Sequence, residues 1–180
     1  MNDIRYLFIV ENPGYSPQHR AQLLRDLRGI LPVLNLRIAS RHLEIVVRGV
    51  DPEEARRKIE ETMGRVIAVM DVTNEDSLGG GDIAKFVDLF NAERFWEAHA
   101  EVEPIWRKNG DKTVQALILI SAAFIKIQEG LPDKFVLLAR EALELLKEAP
   151  PRLGCIDMAR LREELSKSLT SRSPFKITCL

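Results

Sequence analysis

The stretch "NEDSLGGGD", residues 74–82, divides this chain into two parts with different hydrophobic patterns. Three consecutive glycines beside serine and aspartate are flexible and polar, a composition that is typical of a linker. Before this stretch, strand-like and helix-like patterns alternate; after it, every pattern is helical. The sequence therefore predicts an N-terminal domain over residues 1–74, a glycine-rich linker over 75–81 and a C-terminal domain over 82–180.

The N-terminal part contains four stretches that are rich in β-branched residues or alternate apolar with polar residues, as strands do. Two helices separate them, and each begins at a capping residue followed by proline, Ser16–Pro17 and Asp51–Pro52. The strands are predicted at 4–10, 33–39, 43–50 and 65–72. The order β-α-β-β-α-β predicts a ferredoxin-like domain, a four-stranded antiparallel sheet with both helices on one face.

Two ligand classes common for this topology do not fit the sequence. Stacking of RNA bases needs aromatic residues on the central strands, and the strand at 43–50 has none, although Tyr6 and Phe8 lie on the first. A net charge of −1 also supplies no positive field for phosphates. The loop "VENPGYSPQH", residues 10–19, lacks the cysteines of a metal carrier. We therefore predict no nucleic-acid partner, and a sheet surface that pairs with a second copy or covers the helical part.

The C-terminal part is helical throughout, with about five predicted helices and a short tail that lies across them through Phe175 and Ile177. The segment 112–130 is apolar on nearly all sides, which predicts a central, buried helix. The expected fold class is thus α+β, a ferredoxin-like βαββαβ domain followed by an all-α bundle.

The longest apolar stretch, residues 114–125, is too short to span a bilayer, and the N-terminus lacks the features of a signal peptide. These observations predict a cytoplasmic protein with no membrane partner. In that compartment the two cysteines, Cys155 and Cys179, are expected to be reduced thiols. A disulfide that pins the C-terminal tail is the alternative.

The helical segment "FNAERFWEAHAEVEPIW", residues 90–106, holds the most unusual residues of the chain. On a helical wheel Phe95, Val102 and Trp106 point inward, and His99 and Glu103 lie together at the edge of that face with Trp96 beside them. Glu97 and Glu101 are predicted to face solvent or a polar groove. Pro104 cannot donate to the carbonyl of Ala100, so the helix is expected to bend or loosen there and to leave that carbonyl open to water or a ligand.

Two interpretations of this helix stay open. In the functional one, His99 and Glu103 lie in a small polar pocket as a proton shuttle or, more weakly, as two metal ligands, since the spacing places both on one face. In the structural one, His99 is a buried histidine satisfied by Glu103. No cofactor is predicted, and the candidate pocket comprises Trp96, Glu97, His99, Glu103, Trp106 and Gln115.

The same segment, followed by "VQALILISAAF" and "AREALELL", resembles an all-helical family catalogued as domain of unknown function 309. The resemblance covers about residues 84–148. Matching positions are Phe90, Asn91, Phe95, Trp96, Glu97, Ala98, His99, Glu103, Trp106 and Gln115. Two positions depart from the pattern, Ala100 for a glutamate and Ala116 for a glycine. The resemblance implies a helical fold and no particular activity.

Three functions are compatible with these features. The first is a small-molecule-binding or regulatory protein, with the polar pocket around His99 and Glu103 and a homodimer through the N-terminal sheet. The second is a helical protein-interaction module without chemistry, since antiparallel helix pairs resemble a repeat unit. The third is a hydrolase-type enzyme that uses His99 and Glu103. Whether any reaction is catalysed is not decided by the sequence.

Overall fold

The computed structural model describes residues 3–180, and its N-terminal part forms one antiparallel sheet with two helices. In chain order the elements are β1 (Arg5–Glu11), α1 (Arg20–Arg28), β2 (Val33–Ile38), β3 (His42–Arg48), α2 (Pro52–Thr62) and β4 (Val66–Asp71). The strands lie in the order β2-β3-β1-β4, and all neighbours are antiparallel. This is the predicted ferredoxin-like topology.

The core of this part follows from strand alternation. Phe8 on β1 lies opposite Ile45 on β3, and Leu36 on β2 lies opposite Ile45 from the other side, so that their side chains share one face. That face packs with the apolar sides of α1 and α2, including Leu27 and Ile59, which are fully buried. Asp51 accepts hydrogen bonds from the N–H groups of two residues in the first turn of α2, as its capping position predicts.

The other face of the sheet carries a charged cluster. The Arg37 Nε donates to Glu44 Oε2 at 2.6 Å, and the His42 Nε2 lies 3.2 Å from Glu44 Oε1. Burial alone would raise the pKa of the Glu44 carboxyl, but the charge of Arg37 and the hydrogen bonds of both partners hold that pKa below its usual value. Neighbouring strands therefore satisfy this carboxylate within the sheet.

The C-terminal part contains five helices and one short hairpin. Its elements are α3 (Ile83–Asn91), α4 (Phe95–Asn109), α5 (Lys112–Gln128), α6 (Pro132–Leu146), β5 (Arg152–Leu153), β6 (Ile156–Asp157) and α7 (Met158–Ser171). An aromatic cluster fills the core, in which the Phe124 ring stacks on Phe95 at 5.1 Å and contacts Phe135 at the same distance. Nearly every residue of α5 is buried or half-buried, which confirms the predicted central helix.

The expectation of two reduced thiols is wrong, because Cys155 and Cys179 form a disulfide. The tail after α7 returns to the hairpin, where Cys179 bridges to Ile156 of β6, and this brings the two Cα atoms to 4.7 Å. That separation lies in the range that a disulfide requires. The two cysteines are 24 residues apart in sequence, so only the path of the tail reveals the pairing.

Contacts group the chain into two compact units, each with its own apolar core. One unit comprises the residues up to Glu75 with Gln128–Gly130, and the other comprises Asp76–Ile127 with Leu131–Leu180. The division into domains at 1–74 and 82–180 with a linker between them stays a prediction. None of the helices within residues 3–180 is both long enough and apolar enough to cross a membrane.

Candidate functional site

The candidate site is built on α4, and His99 and Glu103 do lie side by side on it. The His99 Nδ1 is 4.0 Å from the Glu103 Oε2, too far for a direct hydrogen bond. Their side chains are 30% and 31% exposed, respectively. The pair is therefore open to solvent on one side, which does not fit the interpretation of a sealed histidine satisfied by its neighbour.

The second oxygen of Glu103 is occupied. Arg107, one turn further along α4, donates through Nη2 to Glu103 Oε1 at 3.0 Å and to Asp76 Oδ1 at 2.9 Å. These hydrogen bonds raise the pKa of the Arg107 guanidinium above its ordinary value. A polar row of four side chains, His99, Glu103, Arg107 and Asp76, thus runs along the outside of α4; we call it the α4 row.

The imidazole of His99 is held in its neutral form. Partial burial lowers the pKa of His99 below its usual value of 6.5, and this outweighs the attraction of Glu103, while the charge of Arg107 lowers the pKa further. At neutral pH the ring therefore carries one N–H donor and one acceptor nitrogen beside a carboxylate. This pair can hydrogen-bond a hydroxyl or an amino group, and it can also accept a proton.

The two tryptophans flank the α4 row differently. Trp96 is half-buried, whereas Trp106 is 37% exposed, so the prediction that Trp106 points inward with Phe95 and Val102 is wrong. The reason is local, because every residue from Trp106 to Gly110 is exposed and the last turn of α4 lies at the surface. Trp106 is thus accessible to solvent, three residues after Glu103 on α4.

The remaining candidate residues have other surroundings. Glu97 receives two hydrogen bonds from Arg94, at 2.6 and 2.7 Å, which engage both of its oxygens. Gln115 is half-buried on α5. Among residues 3–180, no group of three or more histidine, cysteine, aspartate or glutamate side chains is arranged to hold a metal ion. The geometry thus assembles His99 and Glu103 with Arg107 and Asp76, and leaves Glu97 outside that row.

Sequence reasoning missed the burial of Glu101, which was predicted to face solvent or a polar groove and is 1% exposed. Its Oε1 accepts hydrogen bonds from the N–H groups of Gly80 at 3.1 Å and Asp82 at 3.0 Å, and its Oε2 lies 3.2 Å from the Lys85 Nζ. The Gly81 N–H also donates to the Glu101 carbonyl at 2.9 Å. The glycine-rich segment is therefore bonded to α4 along its length.

The glycines make this contact possible. A Cβ on Gly79 would lie 1.7 Å from the carbonyl oxygen of Ala100, so only glycine can approach the helix there. Gly81 has a φ of +79°, which side chains rarely tolerate. Pro104 supplies no N–H to the Ala100 carbonyl, and where an opening to water or a ligand was predicted, the main chain of Gly79 packs against that carbonyl. The only sequence signals for this contact were the glycine run and the proline inside a helix.

The neutral His99 predicts a pH dependence of stability. Because its pKa in the folded protein is below 6.5, the unfolded chain binds a proton first as the pH falls. The stabilisation from the neutral ring is therefore fully present above about pH 7 and is lost as the pH falls from 6.5 towards the folded pKa. Urea unfolding between pH 7.5 and 5 should show a smaller loss of stability for His99→Gln than for the natural protein. Equal slopes for the natural protein and His99→Gln would contradict a partly buried, neutral His99.

Helix α4 lies within the part of the chain that matches a known sequence family. Residues 83–138 match a family described as Domain of unknown function (DUF309), which confirms the resemblance of the helical region. The matched part runs from the start of α3 into α6, includes the α4 row apart from Asp76, and is less than half of the chain. A search of curated proteins found no match.

Proposed function

We propose that the α4 row is a binding site for a small polar molecule, so that the protein acts as a small-molecule-binding or regulatory protein. The observation that carries this proposal is the gap of 4.0 Å between the His99 Nδ1 and the Glu103 Oε2. One oxygen or nitrogen atom of a ligand that lies to one side of the line joining these two atoms would be within hydrogen-bond distance of both side chains.

Charge selects the class of ligand. The carboxylates of Glu103 and Asp76 are both bonded to Arg107, and the other Glu103 oxygen faces the neutral ring of His99. A carboxylate is an acceptor only, so the ligand atom beside it must donate. A hydroxyl or amino group fits this requirement, whereas an acid of similar size would meet the Glu103 charge. The exposed indole of Trp106 would pack on a planar or apolar part of the same ligand.

Intrinsic fluorescence tests this proposal, because the only two tryptophans of the chain, Trp96 and Trp106, flank the α4 row. Phenethylamine, phenethyl alcohol and phenylacetate share one ring and differ in the group that the row would select. We expect saturable changes of emission with the amine or the alcohol and none with phenylacetate. His99→Ala and Glu103→Gln should abolish the change, while His19→Ala keeps it.

The proposed selectivity would be contradicted if neither phenethylamine nor phenethyl alcohol changed the emission, or if phenylacetate bound equally well. A change of emission that persists in His99→Ala and Glu103→Gln would place binding elsewhere on the chain. Mass spectrometry of small molecules that co-purify with the natural protein but not with these variants would identify the natural ligand.

A helical protein-interaction module is the second candidate function. The observation that favours it is the exposure of apolar side chains on the helices, 37% for Trp106 and 68% for Leu137 on α6. Single exposed apolar residues are common on monomeric proteins, so this observation supports an interface less strongly than the α4 row supports a ligand. A hydrolase-type role for His99 and Glu103 has less support, since the two side chains lack the direct hydrogen bond of an acid–base pair.

A homodimer through the N-terminal sheet belongs to the same proposal. At the β2 edge, the side chains of Arg20 and Arg28 donate to the carbonyls of Leu36 and Val33, and such capping disfavours pairing with another strand. On the other edge strand, β4, Ile67 is 55% and Val69 is 37% exposed. Light scattering after size-exclusion chromatography measures the molar mass and so tests for a dimer. A monomer at high protein concentration would contradict the homodimer. A cytoplasmic location likewise stays a prediction.

A further inference from the structure

The C-terminal tail after α7 is held at three successive points. The Phe175 ring packs against Phe90 at 5.4 Å and Phe124 at 5.7 Å between ring centroids. The side-chain amide of Asn91 then bonds both ways with Ile177, donating to its carbonyl at 2.8 Å and accepting from its N–H at 2.7 Å. The last point is the disulfide of Cys179.

The disulfide holds the residues beyond the Asn91 contact. The N–H of Leu180 donates to the Cys155 carbonyl at 2.9 Å, and Cys179 forms the bridge to Ile156. The Asn91 contact involves neither cysteine, because side-chain hydrogen bonds of α3 hold Ile177. The tail therefore has an inner anchor that is independent of redox state and an outer anchor that depends on it.

The two cysteines differ in the exposure of their residues. Cys179 is exposed, whereas Cys155 is half-buried in the turn between β5 and β6. Thiol–disulfide exchange requires in-line approach of a thiolate to one sulfur, so an attacking thiol has better access to Cys179. Cys155 is then the leaving group.

We propose that Cys155–Cys179 is a reversible thiol–disulfide exchange site whose co-substrate is a dithiol, and that it latches the last residues of the tail. A thiolate of the dithiol attacks the Cys179 Sγ, the S–S bond breaks, and Cys155 leaves as a thiolate that takes up a proton. The second thiol of the reagent then attacks its own sulfur in the mixed disulfide and releases Cys179. The protein disulfide gains two electrons and two protons, and the dithiol becomes a disulfide.

The consequence is a local change at the end of the chain. In the reduced protein Ile177 stays hydrogen-bonded to Asn91. The hydrogen bond from the Leu180 N–H to the Cys155 carbonyl and the β-bridge between Cys179 and Ile156 are then no longer reinforced by the disulfide. The side chain of Cys155, in the turn of the hairpin, also becomes a free thiol. The site is distinct from the α4 row, so failure of the ligand proposal leaves it unaffected.

Trapping with a monothiol tests the direction of attack. The full chain is treated with reduced glutathione, quenched with iodoacetamide and mapped by mass spectrometry. We expect glutathione on Cys179 and the alkyl group on Cys155. Glutathione predominantly on Cys155, or two alkylated thiols in protein never exposed to reductant, would overturn the proposal.

Amide hydrogen exchange measured by NMR tests the latch itself. With dithiothreitol, exchange of the Leu180 amide should accelerate by about tenfold or more, while that of Ile177 should change by less than about threefold. The double variant Cys155→Ser/Cys179→Ser should show the fast Leu180 exchange without reductant and no response to it. Asn91→Ala should instead accelerate exchange of the Ile177 amide while the disulfide is intact. Unchanged Leu180 exchange in reduced natural protein would overturn the latch, whether or not the double variant folds.

Discussion

Gly79→Ala is expected to destabilise the protein by about 3 kcal/mol, as a severe case of overpacking. The added Cβ would lie 1.7 Å from the Ala100 carbonyl oxygen, 2.5 Å from its carbon and 2.9 Å from the Glu101 Cα, all of them main-chain atoms. No rotamer change can relieve such a contact. The glycine-rich segment must move away from α4, and this separates Gly80 and Asp82 from the Glu101 carboxylate. Urea denaturation followed by circular dichroism measures the loss.

Gly110→Ala is the matched control for this variant, at the other end of α4. Gly110 has a φ of +65°, and a Cβ there would meet nothing within 4 Å. Its replacement costs only the strain of a left-handed backbone, about 1 kcal/mol. A Gly79→Ala protein as stable as Gly110→Ala would contradict the close approach of the segment to the helix.

Glu101→Ala is expected to cost about 3–5 kcal/mol, because each buried N–H group left without an acceptor costs about 1–3 kcal/mol and two such groups lose Glu101. The change leaves the N–H groups of Gly80 and Asp82 without their acceptor and opens a space where a side chain only 1% exposed had been. Glu101→Gln should cost less, about 2 kcal/mol, because its amide oxygen still accepts a hydrogen bond while the charge is lost. Denaturant unfolding of both variants checks the order.

Lys85→Ala distinguishes the contribution of the Lys85 ion pair from that of the main-chain N–H groups that bond to Glu101. The Lys85 side chain is 56% exposed, so its ion pair with Glu101 should be worth less than about 1 kcal/mol. If Lys85→Ala were as damaging as Glu101→Ala, the ion pair and not the main-chain hydrogen bonds would hold the segment. If neither variant lost stability, Glu101 would not be the anchor.

The two faces of α4 have connected roles in this account. On one side Glu101 fixes Gly80 and Asp82, and the same segment contains Asp76, which bonds to Arg107 of the α4 row. Arg107 in turn occupies one oxygen of Glu103 and leaves the other facing His99. The glycine-rich segment therefore lies along α4 and helps to set the charge around the proposed ligand gap.

Much of the fold could be predicted because its signals are local. Alternation in strands such as 43–50, caps such as Asp51 and the apolar helix at 112–130 depend on neighbours in sequence, and the structure follows them to within a few residues. The spacing of His99 and Glu103 on one helix face was correct for the same reason.

The errors have one physical cause, since each depends on a contact between segments that are distant in sequence. Glu101 was predicted to face solvent or a polar groove, yet a main-chain segment 19 to 21 residues earlier buries it. Trp106 continues the apolar arc, yet the last turn of the helix is uncovered. The cysteines pair because the tail returns to the hairpin. Periodicity reports which face is apolar and not what covers it.

The central functional claim is that His99 is a partly buried, neutral imidazole beside the Glu103 carboxylate. An NMR pH titration of the His99 ring measures this directly in the natural protein and in Glu103→Gln. We expect a pKa of His99 below the ordinary value of 6.5, because burial disfavours the charged ring, and a further decrease of that pKa when the attraction of Glu103 is removed. A His99 pKa at or above 6.5 that does not respond to Glu103→Gln would contradict it.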